Sequence, residues 1–295
     1  MKKLFSLLVV SILVLTGCGG NSDKVNIGFS ISTLDNPFFT TMSDAAKDKA
    51  KELDVDVNVV DAQNDSAKQM TDIEDLVTQG ADVVIINPVD SDSIGTSVQT
   101  LNEKDIPVIT VDRAASSGEV VSHIASDNTL GGKIAGEYAL ELLNNTGDIA
   151  ILEGVPGASA TIERGTGFED AVKGKLNIVE KQTANFDRAE ALKVTEDIVN
   201  ANPSIKLIFA HNDEMALGAQ EALRGLNRED IIVLGFDATD DAIASIKDGG
   251  MEATVEQQPA LMGEMAIETA HKVANGEEVE ASIPEEVKLV NKDTL

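Results

Sequence analysis

Short runs of apolar and β-branched residues alternate along this chain with longer stretches in which apolar residues recur every three or four positions. The first pattern predicts strands and the second predicts amphipathic helices. Helical stretches such as PFFTTMSDAAKDKAKEL and LGGKIAGEYALELLNN begin near Pro, Ser, Asp or Asn. The predicted strands are VNIGFSIS, VDVNVVDA, ADVVIINP, IPVITVD, GDIAILEG, NIVEKQTA, IKLIFAHN, IIVLGFD and MEATVEQ. This β–α alternation predicts an α/β fold with two parallel sheets, one after the other, each covered by helices on both faces.

The first residues have the pattern of an export signal. Two lysines precede an uncharged apolar run that is too short to span a bilayer comfortably. The run ends in Leu15-Thr16-Gly17-Cys18, which resembles the bacterial lipobox. We therefore predict a signal peptide at 1–17, lipidation of Cys18 and a flexible tether at 18–24. Cys18 is also the only cysteine, which excludes disulfides and cysteine-rich zinc sites.

The length and the net charge of the chain limit the number of lobes and the kinds of partner to expect. Without residues 1–17, 278 residues remain, which is too many for one ordinary core and suits two lobes. Removing Lys2 and Lys3 leaves 21 basic residues against 51 acidic ones. A surface this acidic repels phosphate backbones and anionic lipid headgroups. Nucleic acid is therefore excluded as an expected partner.

Polar side chains stand where several predicted strands end. In parallel sheets the ligand crevice lies beyond the carboxyl ends of the strands. A polar residue after a buried run must find hydrogen-bond partners or cost free energy. Asp90 and Asp213 are interpreted as helix N-caps. The other strand-end residues, drawn from both halves of the chain, predict a polar site between the two sheets: Asn87, Asp112, Arg113, Asn212 and Asp237.

Stretches of this sequence that resemble catalytic or metal-binding motifs lack residues that those motifs require. LGGKIAG lacks the spacing of a phosphate-binding loop, and it is better interpreted as a helix packed closely through its glycines. DSDSIG starts like a calcium loop, but Ile94 and Leu101 stand where oxygen ligands are required. His123, His211 and His271 lack partners at ligand spacing, so we expect structural roles for them. We predict no catalytic residue, no metal and no cofactor, although a carboxylate pair for glycoside hydrolysis is left open.

Two of the chain's eight phenylalanines, Phe38 and Phe39, follow Asn36-Pro37 at a strand-to-helix junction. Pro37 suits the first turn of a helix. Loops at such junctions often carry binding residues. Position alone allows two interpretations: the rings cap the helix against the core, or they contact a ligand.

Eight motifs are spread along the chain: LDNPFF, INPVDSD, PVITVDR, EVVSHIASDN, GGKIAGEY, NFDR, NDEMALGA and GFDAT. Together they resemble the ribose-binding proteins of bacterial ABC importers, within the type I periplasmic binding proteins. The similarity runs from about Val25 to Val290. It implies two Rossmann-like lobes with parallel sheets, joined by a three-segment hinge. We expect an N-terminal lobe of 25–126 with 258–286, and a C-terminal lobe of 127–257 with 287–295.

The resemblance also implies the ligand contacts. In the first lobe they are Asn36, Phe38, Phe39, Asn87, Asp112 and Arg113; in the second lobe and hinge they are Arg164, Phe186, Asn212, Asp237 and Gln257. Aromatic rings can cover the C–H faces of a sugar while amides, carboxylates and guanidinium groups meet its hydroxyls. Phe29, Phe168, Phe209 and Phe236 are expected in the core. The chain departs from the family pattern at Ile162, where an arginine is usual.

The implied function is an exported, monomeric receptor, lipid-anchored or periplasmic, that captures D-ribose or a similar monosaccharide and delivers it to the membrane subunits of an ABC permease. A chemotaxis receptor is a further partner that the resemblance leaves open. One alternative is a receptor of the same fold for allose, galactose or autoinducer-2. Others are a repressor's effector domain, which would need a DNA-binding helix pair, and an enzyme acting on the sugar.

Replacing Cys18 by alanine should move the protein from the detergent phase to the aqueous phase in a partitioning assay, because the lipid anchor would be lost. Wild type produced without its leader serves as the control. Equal partitioning of wild type and Cys18→Ala would contradict the anchor.

Overall fold

A computed structural model describes residues 24–295 of the protein. The predicted signal peptide and Cys18 lie outside the described residues. Within this range the strands are β1 Asn26–Ile31, β2 Asp56–Asp61, β3 Val83–Ile86, β4 Val108–Val111, β5 Ser122–Ser126, β6 Asp148–Glu153, β7 Asn177–Thr183, β8 Ile205–Ala210, β9 Ile232–Asp237, β10 Ala253–Glu256, β11 Ser282–Glu285 and β12 Lys288–Asn291. The helices are α1 Pro37–Glu52, α2 Ser66–Thr78, α3 Gly95–Asn102, α4 Asn128–Leu142, α5 Ser159–Val172, α6 Arg188–Ala201, α7 Asp213–Gly225, α8 Asp240–Asp248 and α9 Pro259–Ala274.

These strands form two six-stranded sheets. The first has the order β11-β5-β4-β3-β1-β2, and all of its neighbours are parallel. The second has the order β12-β10-β9-β8-β6-β7, in which only the β10–β12 pair is antiparallel. We call the first sheet with α1, α2, α3 and α9 the first lobe, and the second sheet with α4 to α8 the second lobe. The two-lobed α/β fold confirms the fold class predicted from the sequence.

The chain passes between the sheets three times. It leaves the first sheet after β5, returns after β10, and crosses again between β11 and β12. All nine predicted strands are present, and three more were missed, namely β5, β11 and β12. The strand β5 has the sequence SHIAS, and the short strands β11 and β12 are only partly buried, so none has the continuous apolar run of a central strand such as β3.

Both faces of each sheet are buried, which explains the apolar character of the central strands. In the first lobe α1 and α9 cover one face, while α2 and α3 cover the other. In the second lobe α4 and α5 cover one face, and α6, α7 and α8 cover the other.

The packing of α4 against α5 depends on glycine. A side chain at Gly132 would overlap the backbone carbonyl of Arg164, and one at Gly167 would overlap that of Thr129. The two helices therefore approach more closely than side chains would allow. The prediction that LGGKIAG packs through its glycines is confirmed, and this packing fixes the helix that carries Arg164.

His211 lies directly after β8 and is fully buried, with neither ring nitrogen bonded to a protein group. Its ring centroid is 5.4 Å from that of Phe209. Burial, with a smaller contribution from the Arg164 charge, lowers the pKa of His211 to about 3. In the unfolded chain the pKa of this histidine is near 6.5. Between pH 6.5 and pH 3 the imidazole is therefore mostly protonated in the unfolded state and mostly neutral in the folded state. Folding stability from this group is therefore lost as the pH falls below about 6.5.

We expect His211→Gln, which removes the titrating group, to make stability less sensitive to acid. At pH 5 the wild type should have lost about 2 kcal/mol relative to pH 8 through this histidine alone, and the variant should be spared that loss. Urea unfolding of both proteins between pH 8 and 5, each referred to its own value at pH 8, measures the difference. Parallel pH curves would contradict a buried neutral His211.

Candidate functional site

A cavity lies between the two lobes at the carboxyl ends of the central strands. The space inside it and at its mouth, including the part that is open to solvent, amounts to about 240 Å³. The lining residues are Asn36, Phe38, Phe39, Asp112, Arg113, Ala160, Arg164, Phe186, Asn212, Asp237 and Gln257. Ten of the eleven predicted contacts are therefore brought together. Asn87 is not among them, and Ala160 was missed because a small apolar residue in a helical first turn carries no signal of binding.

Phe38 and Phe39 form one side of the cavity at the start of α1. The side-chain oxygen of Asn36 caps the helix by accepting a hydrogen bond from the Phe38 backbone N–H at 2.9 Å. The two rings meet edge to face, with centroids 5.2 Å apart and planes at 89°. Both rings also belong to the first lobe's hydrophobic core. The rings therefore pack the start of α1 against the core and also line the cavity.

Phe186 faces this aromatic pair from the second lobe. It has a left-handed backbone with φ 61°, and its ring occupies the space that a side chain at Gly154 would need. The guanidinium carbon of Arg113 lies 5.1 Å from the centroid of Phe186 and 5.2 Å from that of Phe39. A cation of the first lobe is therefore held between aromatic rings of both lobes.

Asp112 and Arg113 follow β4 and provide the first lobe's charges. Asp112 has φ 63°, and its Oδ2 lies 3.6 Å from Nε of Arg113. Nη1 of Arg113 donates to the Pro88 carbonyl oxygen at 3.1 Å, while its buried Nε has no hydrogen-bond partner in the protein. Burial lowers the pKa of Arg113, and the neighbouring Asp112 opposes that shift.

Asn87 lies next to Asp112 and is not among the residues that line the cavity. Its Nδ2 donates to Oδ2 of Asp112 and to the Val111 carbonyl oxygen, each at 3.1 Å, and its Oδ1 accepts from the Ser32 backbone N–H at 3.1 Å. Both N–H groups of the amide are therefore used inside the protein, and the side chain is fully buried. Asn87 therefore orients the carboxylate instead of lining the cavity.

Arg164 provides the second lobe's cation. Its Nε donates to Oδ1 of Asn128 at 2.8 Å, and its Nη1 donates to the His211 carbonyl oxygen at 2.6 Å. Its guanidinium carbon lies 3.9 Å from the ring centroid of Phe236, a core residue as predicted. These contacts fix the guanidinium group from three sides. Ile162, at the position where the chain departs from the family pattern, is 59% exposed, so it lies on the surface of the lobe.

Asp237 and Gln257 complete the polar lining. Nε2 of Gln257 donates to Oδ1 of Asp237 at 2.7 Å, and the same oxygen lies 3.8 Å from Nη1 of Arg164. Burial raises the pKa of Asp237 well above its usual value, whereas Arg164 opposes that shift. The buried Oε1 of Gln257 has no protein partner. Such an atom, like Nε of Arg113, favours a ligand that brings its own donors and acceptors.

Two N-cap predictions were wrong. Asn212, not Asp213, caps α7: its Oδ1 accepts from the Met215 backbone N–H at 2.9 Å, and its Nδ2 donates to the Phe186 carbonyl oxygen at 3.3 Å. Asp213 is instead the first helical residue and is fully buried.

Asp90 caps only the turn before α3, through the backbone N–H groups of Asp92 and Ser93. Adjacent polar residues at a strand end cannot be assigned to cap or site by type alone.

The lobes also meet directly at one rim of the cavity. The backbone N–H of Ser91 donates to the Gly157 carbonyl oxygen at 3.0 Å, and that of Ser159 donates to Oγ of Ser91 at 3.2 Å. Oγ of Ser159 in turn accepts from the Ala114 backbone N–H at 2.9 Å. Gly157 has φ 87°, and a side chain there would overlap the carboxylate of Asp90. The structure is therefore closed, with the lobes in contact.

The cavity combines charged side chains with apolar ring faces. Two arginines and two aspartates give no net charge, and the aromatic rings offer apolar faces beside them. Among residues 24–295, no three His, Cys, Asp or Glu side chains are grouped as metal ligands. In the same range, no helix has the length and apolar character required to cross a membrane. The arrangement can hold a small neutral molecule that carries several hydroxyl groups.

Comparisons with known proteins agree on the family. The ribose import binding protein of Haemophilus influenzae is 45% identical over 293 residues, covering 99% of this chain and all of that protein. The corresponding Bacillus subtilis protein is 45% identical over 302 residues, covering 98% of this chain and 99% of that protein. A solved ABC transporter solute-binding protein from Bacillus halodurans, with bound myo-inositol, aligns at a TM-score of 0.88 and 36% identity over 93% of this chain and 96% of that one.

A further solved relative, from Actinobacillus succinogenes with bound D-allose, aligns at a TM-score of 0.85 and 30% identity, covering 92% of this chain and 99% of that one. The family model of the periplasmic binding protein domain matches residues 27–278. The chain therefore belongs to the periplasmic binding protein family and has its type I fold.

Proposed function

We propose that this protein captures D-ribose between its two lobes, outside the cytoplasmic membrane, and delivers it to an ABC permease without altering it chemically. The observation that carries the proposal is the lining of the cavity: aromatic rings and hydrogen-bonding groups of both lobes face one space, and its two arginines and two aspartates balance in formal charge. The ribose import relatives, which align along nearly the whole chain, support ribose as the sugar.

The domain boundaries follow from the same proposal. The lobes divide at 126/127, 257/258 and 286/287, where the chain passes between the sheets. Contacts from the first lobe precede the first crossing, and all contacts from the second lobe and hinge follow it. Hinge motion at these three segments would open the cavity, and a sugar that touches both lobes would favour the closed form.

The second candidate is a receptor for another polyol or sugar. Solved relatives bind myo-inositol and D-allose, both of which carry more ring substituents or atoms than a pentose. The ribose import relatives are more similar in sequence to this chain than these two solved structures are, which favours ribose. On this proposal the protein is a monomer that is anchored by lipid at Cys18. The membrane subunits of the permease recognise its closed lobes.

We expect ribose to give the largest thermal shift in a panel of ribose, arabinose, allose, galactose, myo-inositol and autoinducer-2. At a hundredfold excess over Kd it should stabilise the fold by about 2.7 kcal/mol, and calorimetry should give a Kd near micromolar or tighter. Unchanged sugar recovered after incubation would support binding without catalysis. A thermal shift with another member of the panel and none with ribose would contradict ribose as the ligand and favour the second candidate.

Replacing Asp112 or Arg164 by alanine should weaken ribose binding by about 2 to 4 kcal/mol, because each change leaves polar partners unpaired in a closed cavity. Asp65→Ala is the matched control, since this carboxylate only caps α2 through the backbone N–H groups of Ala67 and Lys68. Asp90 is less suitable because it abuts Gly157 of the other lobe. Equal losses of affinity in all three variants, measured by calorimetry, would mean that the site has been misplaced.

A further inference from the structure

The turn that follows β9 presents Asp237 to the cavity in an unfavourable backbone conformation. Asp237 has φ 125° and Ala238 has φ 62°, although neither is glycine. Residues with side chains rarely adopt such values, and they persist only where surrounding groups hold them. Some part of the second lobe must therefore stabilise this turn.

The carboxylate of Asp213 provides that support from behind the cavity. Its Oδ2 accepts hydrogen bonds from the Thr239 backbone N–H at 2.8 Å and from Oγ1 of Thr239 at 3.2 Å. Its Oδ1 accepts from Oγ1 of Thr254 at 2.6 Å, and that hydroxyl accepts from the Ala238 backbone N–H at 3.3 Å. The backbone N–H groups of Ala238 and Thr239 are thus both tied, directly or through Thr254, to one side chain.

Burial of the Asp213 carboxylate costs folding free energy, so we expect this residue to have a compensating role. The residue is fully buried, and it raises the pKa of the nearby Asp237 carboxyl through like-charge repulsion, in addition to the larger effect of burial. It also requires glycine at position 235, where a side chain would overlap Oδ1. Asp213 does not line the cavity, so its role is not direct contact with a ligand.

We propose that Asp213 is a positioning residue for sugar binding: it holds the strained turn 237–239 so that the Asp237 carboxylate meets the ligand beside Arg164 and Gln257. The inference rests on the proposed function, because it assigns Asp213 a part in the same site. Asp213 would then help to determine the affinity for the sugar although it is fully buried and lies behind the turn 237–239.

The test compares Asp213→Ala, Asp213→Asn and Thr254→Val with the control Thr195→Val, which alters a buried hydroxyl of α6 that bonds to no protein group. We expect Asp213→Ala to raise the ribose Kd about 10- to 100-fold. Asparagine should restore most of the affinity, because its oxygen can still accept from Thr239. Thr254→Val should weaken binding in the same direction, and Thr195→Val should leave the Kd within about twofold.

A double-mutant cycle separates positioning from general destabilisation. In an Asp237→Ala background, Asp213→Ala should change the Kd by less than about threefold, because the group that it positions is already gone. Full additivity of the two changes would overturn the proposal, as would an Asp213→Asn protein no better than Asp213→Ala.

Hydrogen exchange of the Ala238 and Thr239 amides in ligand-free protein gives a readout that does not depend on the sugar. Both amides should exchange faster in Asp213→Ala than in wild type, and Asp213→Asn should restore protection at Thr239. If wild type fails to bind ribose, the proposed function fails, whereas unchanged exchange at these amides would overturn the role of Asp213 by itself.

Discussion

The structure depends on the burial of four charged side chains between two lobes. Asp112 pairs with Arg113 in the first lobe, and Asp237 pairs with Arg164 in the second, so that each lobe brings a neutral pair to the cavity. Closing the lobes therefore buries no net charge, which would otherwise be prohibitive. The separations of 3.6 and 3.8 Å are longer than a good hydrogen bond, so these pairs do not saturate each other. Donors and acceptors remain for a ligand.

Each of these charged groups is held by neighbours that do not line the cavity. Asn87 orients Asp112, Asn128 and Phe236 fix Arg164, and Asp213 supports the turn of Asp237. Such support matters because a flexible arginine or aspartate would lose conformational entropy on binding, whereas a fixed one has already lost it during folding. Three lining residues, Asp112, Phe186 and Asp237, also have positive φ, so local backbone strain is concentrated at the cavity.

The sequence predicted the fold class because hydrophobic periodicity reports burial on both faces of parallel sheets. It missed β11 and β12 because short, partly exposed strands need few apolar residues. The family resemblance located ten lining residues, since residue type at a strand end carries over with the fold. It could not separate Asn87 from them, because a side chain behind the cavity and one within it have the same chemistry.

Some features of the site depend on geometry that residue type does not encode. Asn212 both lines the cavity and caps α7, whereas Asp213, predicted as the cap, is the first helical residue and is buried. The hydrogen bonds of Ser91 and Ser159 across the cavity rim join segments that are 68 residues apart, and small polar residues in loops give no sign of such contacts. Backbone conformation and tertiary contact determine these roles.

The central claim is that one small sugar, held by groups of both lobes, stabilises the closed form. Small-angle X-ray scattering of the wild type tests it most directly when recorded without ribose and at a ribose concentration that calorimetry has shown to saturate the site. We expect a smaller radius of gyration with ribose, and a smaller decrease for Arg164→Ala at the same concentration because that variant is less occupied. An unchanged scattering profile of the wild type at proven saturation would contradict closure by the ligand.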